Sequence, residues 1–265
     1  MRSRLRPVPG EDGRPARPEP KPRMDREGGE LLYVQVSDFV REKIYSKDWG
    51  VDEPIPSEHE LMDMLHLSRG TVQKGIRQLV DEGLLVQQRG RGTFVVQPVM
   101  ARPSSNRLLS FGESMSSQGI EYTTRVVECE VREAGPLCAE NLQLEEGEPF
   151  LYLSRVRYVR RRPVMFIESH VNLGACPGLE KADFEHEGLF AAVQRTSGHE
   201  IGRSELVYTA RVAGRVRGGY LECDELAPVL EIDQLVRLDD NVPFEWGSVW
   251  LPANRCVISN ETRRQ

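Results

Sequence analysis

The stretch from residue 57 to residue 97 constrains the fold most, because three short elements follow one another there with very little slack. Ser57 can cap the start of a helix, with a glutamate three residues further on as its capping-box partner. Ser68 can cap a second helix, which Gly83 can end in a left-handed conformation. Two strand-like segments then flank a tight Arg-Gly-Arg-Gly turn at 89–92. This order predicts a winged helix-turn-helix.

Positive charge in this stretch gathers on the second helix and on the hairpin. Residues 68–97 carry five basic and two acidic side chains, whereas residues 57–67 are acidic. These are the parts of a winged helix that enter a major groove and touch the flanking backbone. We expect Arg69, in the first turn of the helix, to read a guanine edge with its bidentate fork. Ser68 and Thr71 are suited to phosphate oxygens.

Two other interpretations of this stretch remain open at the level of sequence. A helical scaffold with a hairpin can also serve as a protein-docking module. Arg77 can be a solvated residue of the helix surface without any contact to DNA.

Five short motifs in the same region resemble the signature of the GntR family of bacterial transcription regulators. They are Leu32-Tyr33-Val34-Gln35-Val36, Ile55-Pro56-Ser57-Glu58, Ser68-Arg69-Gly70-Thr71-Val72, Glu82-Gly83-Leu84-Leu85 and Gly90-Arg91-Gly92-Thr93-Phe94-Val95. The resemblance, together with the polar helix face and the basic turn, gives a DNA-binding set of Ser57, His59, Ser68, Arg69, Gly70, Thr71, Gln73, Lys74, Arg89, Gly90 and Arg91. The family often has arginine at the positions of His59 and Gln73, so two charged contacts become neutral or pH-dependent here.

The length and composition of the chain allow two modest domains. It has 265 residues, a formal net charge of −6 and 29% charged residues, and no apolar run approaches 18 residues, so we expect no membrane span. We predict four segments: a disordered, basic, proline-rich tail at 1–29, the winged helix-turn-helix domain at 30–97, a linker at 98–106, and a second domain at 107–265. Whether the tail touches DNA stays open.

The second half of the sequence alternates strands with short helices. We predict strands at 122–132, 149–159, 163–172, 200–212, 229–238 and 242–251, and helices at 137–142, 187–196 and 214–223. Two pairs of these strands are close enough along the chain to form hairpins. The pattern predicts an α+β domain with a mainly antiparallel sheet.

This half resembles the UTRA effector-sensing domain of the HutC subfamily, which is related in fold to chorismate lyase. The resemblance is carried by Leu109 through Met115, Gln118-Gly119, Arg155-Val156-Arg157, Pro163 through Ser169, Pro243-Phe244-Glu245 and Ser248-Val249-Trp250. It implies a small-molecule effector, often a phosphorylated sugar in the family, whose binding releases DNA. The effector-binding set is then Ser110, Phe111, Arg155, Arg157, Glu168, Phe190, Glu245 and Trp250.

Strand geometry gives this site an independent basis. Alternate residues of a strand share a face, so Arg155 and Arg157 project together about 6–7 Å apart and could clamp one anion. Glu168 and Glu245 could accept hydrogen bonds from hydroxyl or amine groups of the same ligand. The alternative is a cross-strand salt bridge between Glu168 and one of the two arginines.

Departures from the subfamily leave the effector open. Gly188-Leu189-Phe190 stands where sugar-phosphate sensors have a Ser-Leu-Tyr-like sequence, and Trp250 replaces a tyrosine. The usual Gly-Asp-Arg-Tyr ending is Ala253-Asn254-Arg255-Cys256. Fewer donors therefore point at a phosphate. The candidates are a carboxylate, a bulkier apolar metabolite and a sugar phosphate that is held differently.

Catalysis and metal binding are not expected. Ser169 and His170 are neighbours on a strand and point to opposite faces, so they cannot form a nucleophile and base pair. The five cysteines lack CxxC spacing, which fits a reduced cytoplasmic setting and no cofactor. We predict a homodimeric repressor on double-stranded operator DNA, modulated by a small anionic metabolite. The alternative is an effector-independent repressor whose second domain only dimerises.

Overall fold

A computed structural model describes residues 24–25, 29–51, 53–101 and 108–259. Almost all of the predicted tail and most of the predicted linker lie outside these residues. No helix in the described part of the chain is both long enough and apolar enough to cross a membrane.

The N-terminal unit is a winged helix-turn-helix, as predicted. Its elements are α1 (Leu32–Tyr45), α2 (Glu58–Leu65), α3 (Arg69–Asp81), β1 (Leu85–Gln88) and β2 (Gly92–Val95). The helix starts follow local chemistry: Ser57 forms the capping box with Glu60, and the Ser68 side chain accepts a hydrogen bond from Thr71 N. The apolar faces meet in one core that includes Val36, Leu61, Val72, Ile76 and Leu85.

Gly75 lets α3 pack unusually close to α1. A β-carbon at this position would lie 2.8 Å from the backbone oxygen of Tyr33 and 2.8 Å from Cβ of Val36. These contacts are with backbone and with the root of a side chain, neither of which can rotate away. The close packing of α3 on α1 therefore requires a residue without a side chain at position 75.

We expect Gly75→Ala to destabilise the protein by about 1–3 kcal/mol, because the helices must separate to accommodate the added carbon. This exceeds the roughly 0.5–1 kcal/mol that alanine gains over glycine inside a helix. Gly70 is the matched control, since a β-carbon there would meet nothing within 4 Å in the same helix. Urea denaturation measures both variants, and a Gly75→Ala protein as stable as Gly70→Ala would contradict this account of the packing.

The C-terminal unit is an α+β domain, as predicted. Its elements, with the strand that leads into it, are β3 (Val99–Ala101), α4 (Phe111–Ser117), β4 (Thr123–Glu133), α5 (Pro136–Leu142), β5 (Pro149–Val159), β6 (Arg162–Asn172), a 3-10 turn (Leu179–Lys181), α6 (Leu189–Ser197), β7 (Ile201–Val212), α7 (Gly214–Leu221), β8 (Pro228–Leu238), β9 (Pro243–Pro252) and β10 (Cys256–Ile258). Every end of the predicted strands and helices agrees to within two residues, whereas β3, α4, the 3-10 turn and β10 had not been predicted.

Six of these strands form one antiparallel sheet in the order β4-β5-β6-β9-β8-β7. The two predicted hairpins, β5–β6 and β8–β9, therefore lie side by side in its middle. We call the face that packs against α4 and α6 the front face, where Phe111, Met165, Ile167 and Val249 form part of the core. The back face packs against α5 and α7.

The segment after the winged helix is not only a linker. Residues 99–101, which the sequence analysis assigned to the linker, form strand β3 and pair in parallel with β10. Val99 N donates a hydrogen bond of 2.8 Å to the oxygen of Arg255. The partner strand lies more than 150 residues further along the chain, so nothing local in the proline- and serine-rich segment could have indicated this pairing.

Candidate functional site

The exposed N-terminal turn of α3 carries the best-placed candidate for reading DNA. The Arg69 side chain is 72% exposed, and its Nε lies 3.7 Å from Oε2 of Glu58. Ser68 and Thr71 are engaged with each other, with 2.8 Å between their hydroxyl oxygens, while Ser68 also caps the helix. Each hydroxyl oxygen keeps further hydrogen-bonding capacity toward the solvent side.

Glu58 is a functional candidate that the sequence analysis missed. Its Oε2 accepts a hydrogen bond of 2.7 Å from Nε2 of Gln73 and also lies beside Arg69. One carboxylate at the start of α2 thus contacts two residues of α3 that we had assigned to DNA. A charge-assisted contact of this kind orients long side chains before they meet a partner. The only signal in the sequence was the acidic residue next to Ser57.

The other predicted residues of the two helices lie on the surface with varied contacts. The Lys74 ammonium lies 3.7 Å from the ring centroid of Tyr33, so α1 holds it. His59 is 82% exposed, and its Nδ1 lies 3.1 Å from Oδ2 of Asp63. Gly70 is exposed, with open space around it.

The turn between β1 and β2 places two arginines at an exposed tip. Gly90 and Gly92 have φ values of +74° and +116°, which favour glycine. Arg89 and Arg91 are exposed, and the Arg91 guanidinium lies 5.7 Å from the ring centroid of Phe94. The hairpin therefore presents cationic side chains on a backbone that can approach another surface closely.

A second candidate site is a cavity under the front face of the sheet. Six of the eight predicted effector residues line it: Ser110, Phe111, Arg155, Arg157, Phe190 and Glu245. The sequence analysis missed the rest of the lining, which consists of Leu108, Leu109, Ile167, Leu189, Ser204, Leu206, Gln234 and Val249. The free volume is about 30 Å³, which suffices for one or two water molecules.

Three charged side chains meet in this cavity without full pairing. Arg155, Arg157 and Glu245 are 3%, 4% and 1% exposed. Arg155 Nη2 donates a hydrogen bond of 3.1 Å to Ser169 Oγ, which donates one of 2.6 Å to Glu245 Oε1. Among the described residues, Nε of both arginines and Oε2 of Glu245 have no hydrogen-bond partner. Each of these buried atoms has unused hydrogen-bonding capacity.

Burial shifts the ionisation of all three groups toward their neutral forms. Desolvation, and then the neighbouring charge of Arg157, lower the pKa of Arg155 to about 10. Desolvation likewise lowers the pKa of Arg157 and raises the pKa of Glu245. Two cations and one carboxylate line this space, and an anion entering the cavity would raise the pKa of both arginines.

Ser110 and Phe111 reach the cavity because a capping box starts α4 there. Ser110 N donates a hydrogen bond of 2.8 Å to Glu113 Oε2, and Ser110 Oγ accepts one of 3.2 Å from Glu113 N. The Arg157 guanidinium lies 5.0 Å from the ring centroid of Tyr122. The start of α4 and the segment after it thus enclose Arg157 from the side opposite the sheet.

Glu168 and Trp250 do not belong to this cavity, contrary to our expectation. Glu168 pairs across the hairpin with Ser154, and Trp250 pairs with Phe166, so both side chains project from the back face. Glu168 instead accepts hydrogen bonds of 3.1 and 2.8 Å from Nε and Nη2 of Arg217 in α7. The alternative salt bridge between Glu168 and Arg155 or Arg157 is excluded for the same reason.

Arg217 completes a separate cluster on the back face. Its guanidinium lies 4.1 Å from the ring centroid of Trp250, and Tyr152 OH donates a hydrogen bond of 3.1 Å to Glu168. The contacts of Arg217 in α7 with Glu168 and Trp250 in the sheet account for the positions of Glu168 and Trp250 without a ligand.

This chain has a winged helix joined to a sheet domain with a charged cavity, which is the arrangement of a two-domain transcription regulator. Comparison with known families agrees with this geometry. Residues 32–95 match the family described as bacterial regulatory proteins, gntR family, and residues 117–256 match the UTRA domain. The chain belongs to the GntR family of bacterial transcription regulators, in the group that carries a UTRA domain, and is a DNA-binding regulator rather than an enzyme.

Three similar proteins match this chain over 91% or more of their own length. The chain is 25% identical over 219 residues to the HTH-type transcriptional regulator GmuR of Bacillus subtilis (strain 168), covering 81% of this chain and 91% of that protein. It is 26% identical to the probable fructoselysine utilization operon transcriptional repressor of Escherichia coli (strain K12), covering 91% and 98%. The crystal structure of PhnF from Mycobacterium smegmatis, 20% identical, shares the fold with a TM-score of 0.61 over 87% of this chain and all of that chain.

Proposed function

We propose that this regulator represses transcription as a homodimer on a two-half-site operator and releases the DNA when a small anionic metabolite enters the front-face cavity. The observation that carries the proposal is the buried pair Arg155 and Arg157, whose Nε atoms have no hydrogen-bond partner within the described part of the chain. Burying unpaired charge is expensive, and proteins tolerate it chiefly where a ligand completes the pairing.

The unpaired atoms indicate the chemistry of the metabolite. Two guanidinium groups with free N–H donors suit a carboxylate or phosphate head. Glu245 Oε2 has no donor among the residues that the structure describes, and it suits an amine or hydroxyl group of the same molecule. A sugar phosphate, an amino sugar acid and a hydroxy acid all have this combination, and the apolar lining from Phe111, Leu189 and Phe190 suits a ligand with a carbon skeleton.

The small volume of the cavity links binding to movement. Ligand sites of metabolite size occupy about 300 Å³ or more, ten times the free volume here. The elements that cover the sheet at this point, α4 and α6, must therefore shift when a ligand enters. Gln118 at the end of α4 donates a hydrogen bond of 2.9 Å to the oxygen of Met100 in β3. A shift of α4 thus acts directly on the segment that leads to the winged helix.

The names of two relatives support repression rather than activation of transcription. The Escherichia coli protein is named a probable fructoselysine utilization operon transcriptional repressor, and a Pseudomonas aeruginosa relative that is 29% identical over 160 residues is named histidine utilization repressor. Both names refer to the use of nitrogen-containing small molecules, in keeping with a ligand that carries an amine for Glu245.

The rival function is an effector-independent repressor whose C-terminal unit only dimerises. Two measurements on the full-length protein distinguish the proposals. Selection from a random duplex library should enrich a sequence with two related half-sites. A thermal-shift screen of sugar phosphates, amino sugars and carboxylates, with inorganic phosphate as the head group alone, should then identify compounds that both stabilise the protein and release that DNA. Enriched DNA without any stabilising compound would favour the rival.

A further inference from the structure

We propose that Arg162 is a positioning residue that fixes the direction in which α3 projects from the C-terminal unit. The inference rests on the proposed function, since it concerns how the DNA-reading surface is held. Arg162 begins β6, directly after the turn of the β5–β6 hairpin. Its guanidinium extends out of the C-terminal unit and contacts the helix that carries Arg69.

The contact lies at the C-terminal end of α3. Arg162 Nη2 donates a hydrogen bond of 3.1 Å to the oxygen of Val80, which also accepts one of 3.1 Å from Gly83 N. Carbonyl oxygens in the last turn of a helix lack intrahelical partners and carry the negative end of the helix dipole. A guanidinium is therefore favoured at this point by both hydrogen bonding and charge.

Arg255 holds the C-terminal side of this contact. It donates hydrogen bonds to backbone oxygens of Pro163, at 3.2 Å, of Glu222, at 2.8 Å, and of Leu221. Pro163 is the neighbour of Arg162, so the hairpin is tied to the end of α7. A β-carbon at Gly83 would lie 3.2 Å from Cγ of Arg255 and 3.6 Å from Nη1 of Arg162. The end of α3 thus rests on both arginines.

The Arg162 contact fixes the direction of α3 because it is the second attachment between the N-terminal and C-terminal units. Strand β3 ties the chain after the winged helix to β10, but a single attached segment leaves the N-terminal unit free to rotate about it. A contact away from that segment removes the rotation. Arg162 reaches Val80, in a different element from β3, and supplies the hydrogen bond of this second point, where Gly83 also packs near Arg255.

The lever arm is long enough for this to affect DNA binding. The Arg162 contact at Val80 lies 11 positions along α3 from Arg69, which corresponds to about 17 Å at the helical rise. A rotation of about 10° at one end would move the other by about 3 Å, which is the length of a hydrogen bond. The same hairpin carries Arg155 and Arg157, so the cavity and the contact share one rigid element.

The test uses the full-length protein and duplexes enriched by the wild-type chain from a random library. We expect Arg162→Ala to weaken binding to the enriched two-half-site duplex by about fivefold, equivalent to about one hydrogen bond. Its preference for the native spacing over spacing altered by about five base pairs, half a helical turn, should fall by a similar factor. Affinity for a duplex with one half-site should stay at the wild-type value, because the reading surface is untouched.

Arg161→Ala is the matched control, since Arg161 precedes Arg162 in the chain, lies in the turn, is exposed, and should behave as wild type in all three measurements. Arg162→Lys keeps the charge but loses the fork and should fall between wild type and Arg162→Ala, which separates positioning from loss of folding. Equal spacing preference in Arg162→Ala and Arg161→Ala would overturn the inference alone. A wild-type chain that enriches no sequence would overturn the proposed function and this inference with it.

Discussion

Replacing Arg69 by alanine is expected to remove most of the base discrimination of this regulator while leaving its fold and assembly intact. The side chain is exposed and makes only a distant contact with Glu58, so its loss leaves no buried charge behind. A bidentate arginine–guanine contact contributes about 1–3 kcal/mol of discrimination. We therefore expect the enriched duplex and variants that change the guanine contacted by Arg69 to bind with nearly equal, weak affinity.

Fluorescence anisotropy titrations at fixed salt measure this effect, because phosphate contacts make all affinities depend on ionic strength. Arg77→Ala serves as the control: it removes the same charge from an exposed position of the same helix. A phosphate contact or a solvated residue at this position predicts a uniform change across all duplexes. Discrimination that survives Arg69→Ala but disappears in Arg77→Ala would place the reading surface elsewhere on α3.

Removing both cavity arginines is expected to abolish the response to the metabolite without loss of DNA binding. Each hydrogen bond to a charged group contributes about 1.5–3 kcal/mol, so the double variant should bind an anionic compound at least a hundredfold more weakly. Methionine is the better replacement, because it retains the apolar stem and does not enlarge the cavity. Arg155→Met with Arg157→Met should still bind the enriched duplex as wild type does.

Glu245, the carboxylate that remains in the cavity, should not strongly destabilise the double variant. Burial already raises the pKa of Glu245, and loss of the two cations favours its neutral form further. Arg217→Met is the control, since it removes a paired arginine from the back face and should leave the response to the compound unchanged. A compound from the thermal-shift screen that stabilises the double variant as much as wild type would show that it binds outside the front-face cavity.

Period-two alternation explains both the success and the error in the candidate cavity. It placed Arg155 and Arg157 on one face, which the structure also has. Carried across the hairpin from the turn at 160–161, the same rule would pair Leu153 with Glu168 and place Glu168 on the face of the two arginines. A β-bulge between Arg157 and Tyr158 shifts the register by one residue, so Ser154 pairs with Glu168 and the glutamate turns to the other face. Glu168 was misplaced because regular alternation from the turn does not include this one-residue shift, which turns every later side chain of the strand to the opposite face.

Other residues of the site could not have been located from the sequence. Ser169 and Glu245 are 76 residues apart and meet only because the hairpins β5–β6 and β8–β9 lie side by side. Many strand orders are compatible with the same six strands, and the order is decided by how the apolar faces bury against α4 and α6. Gln234 and Ser204 entered the cavity through the same arrangement.

The sequence by itself determined what depends on neighbours a few residues apart: the capped starts of α2 and α3, the glycine turn of the hairpin, and the strands of the sheet. Hydrogen bonds of caps and turns are made within one or two turns of backbone, so the residues that specify them are adjacent in the chain. Only the tertiary structure decided which side chains share the cavity, that residues 99–101 pair with β10, and that Arg162 meets Val80. These contacts join residues about 80 to 160 positions apart, and the burial of whole faces selects among the many ways to bring such residues together.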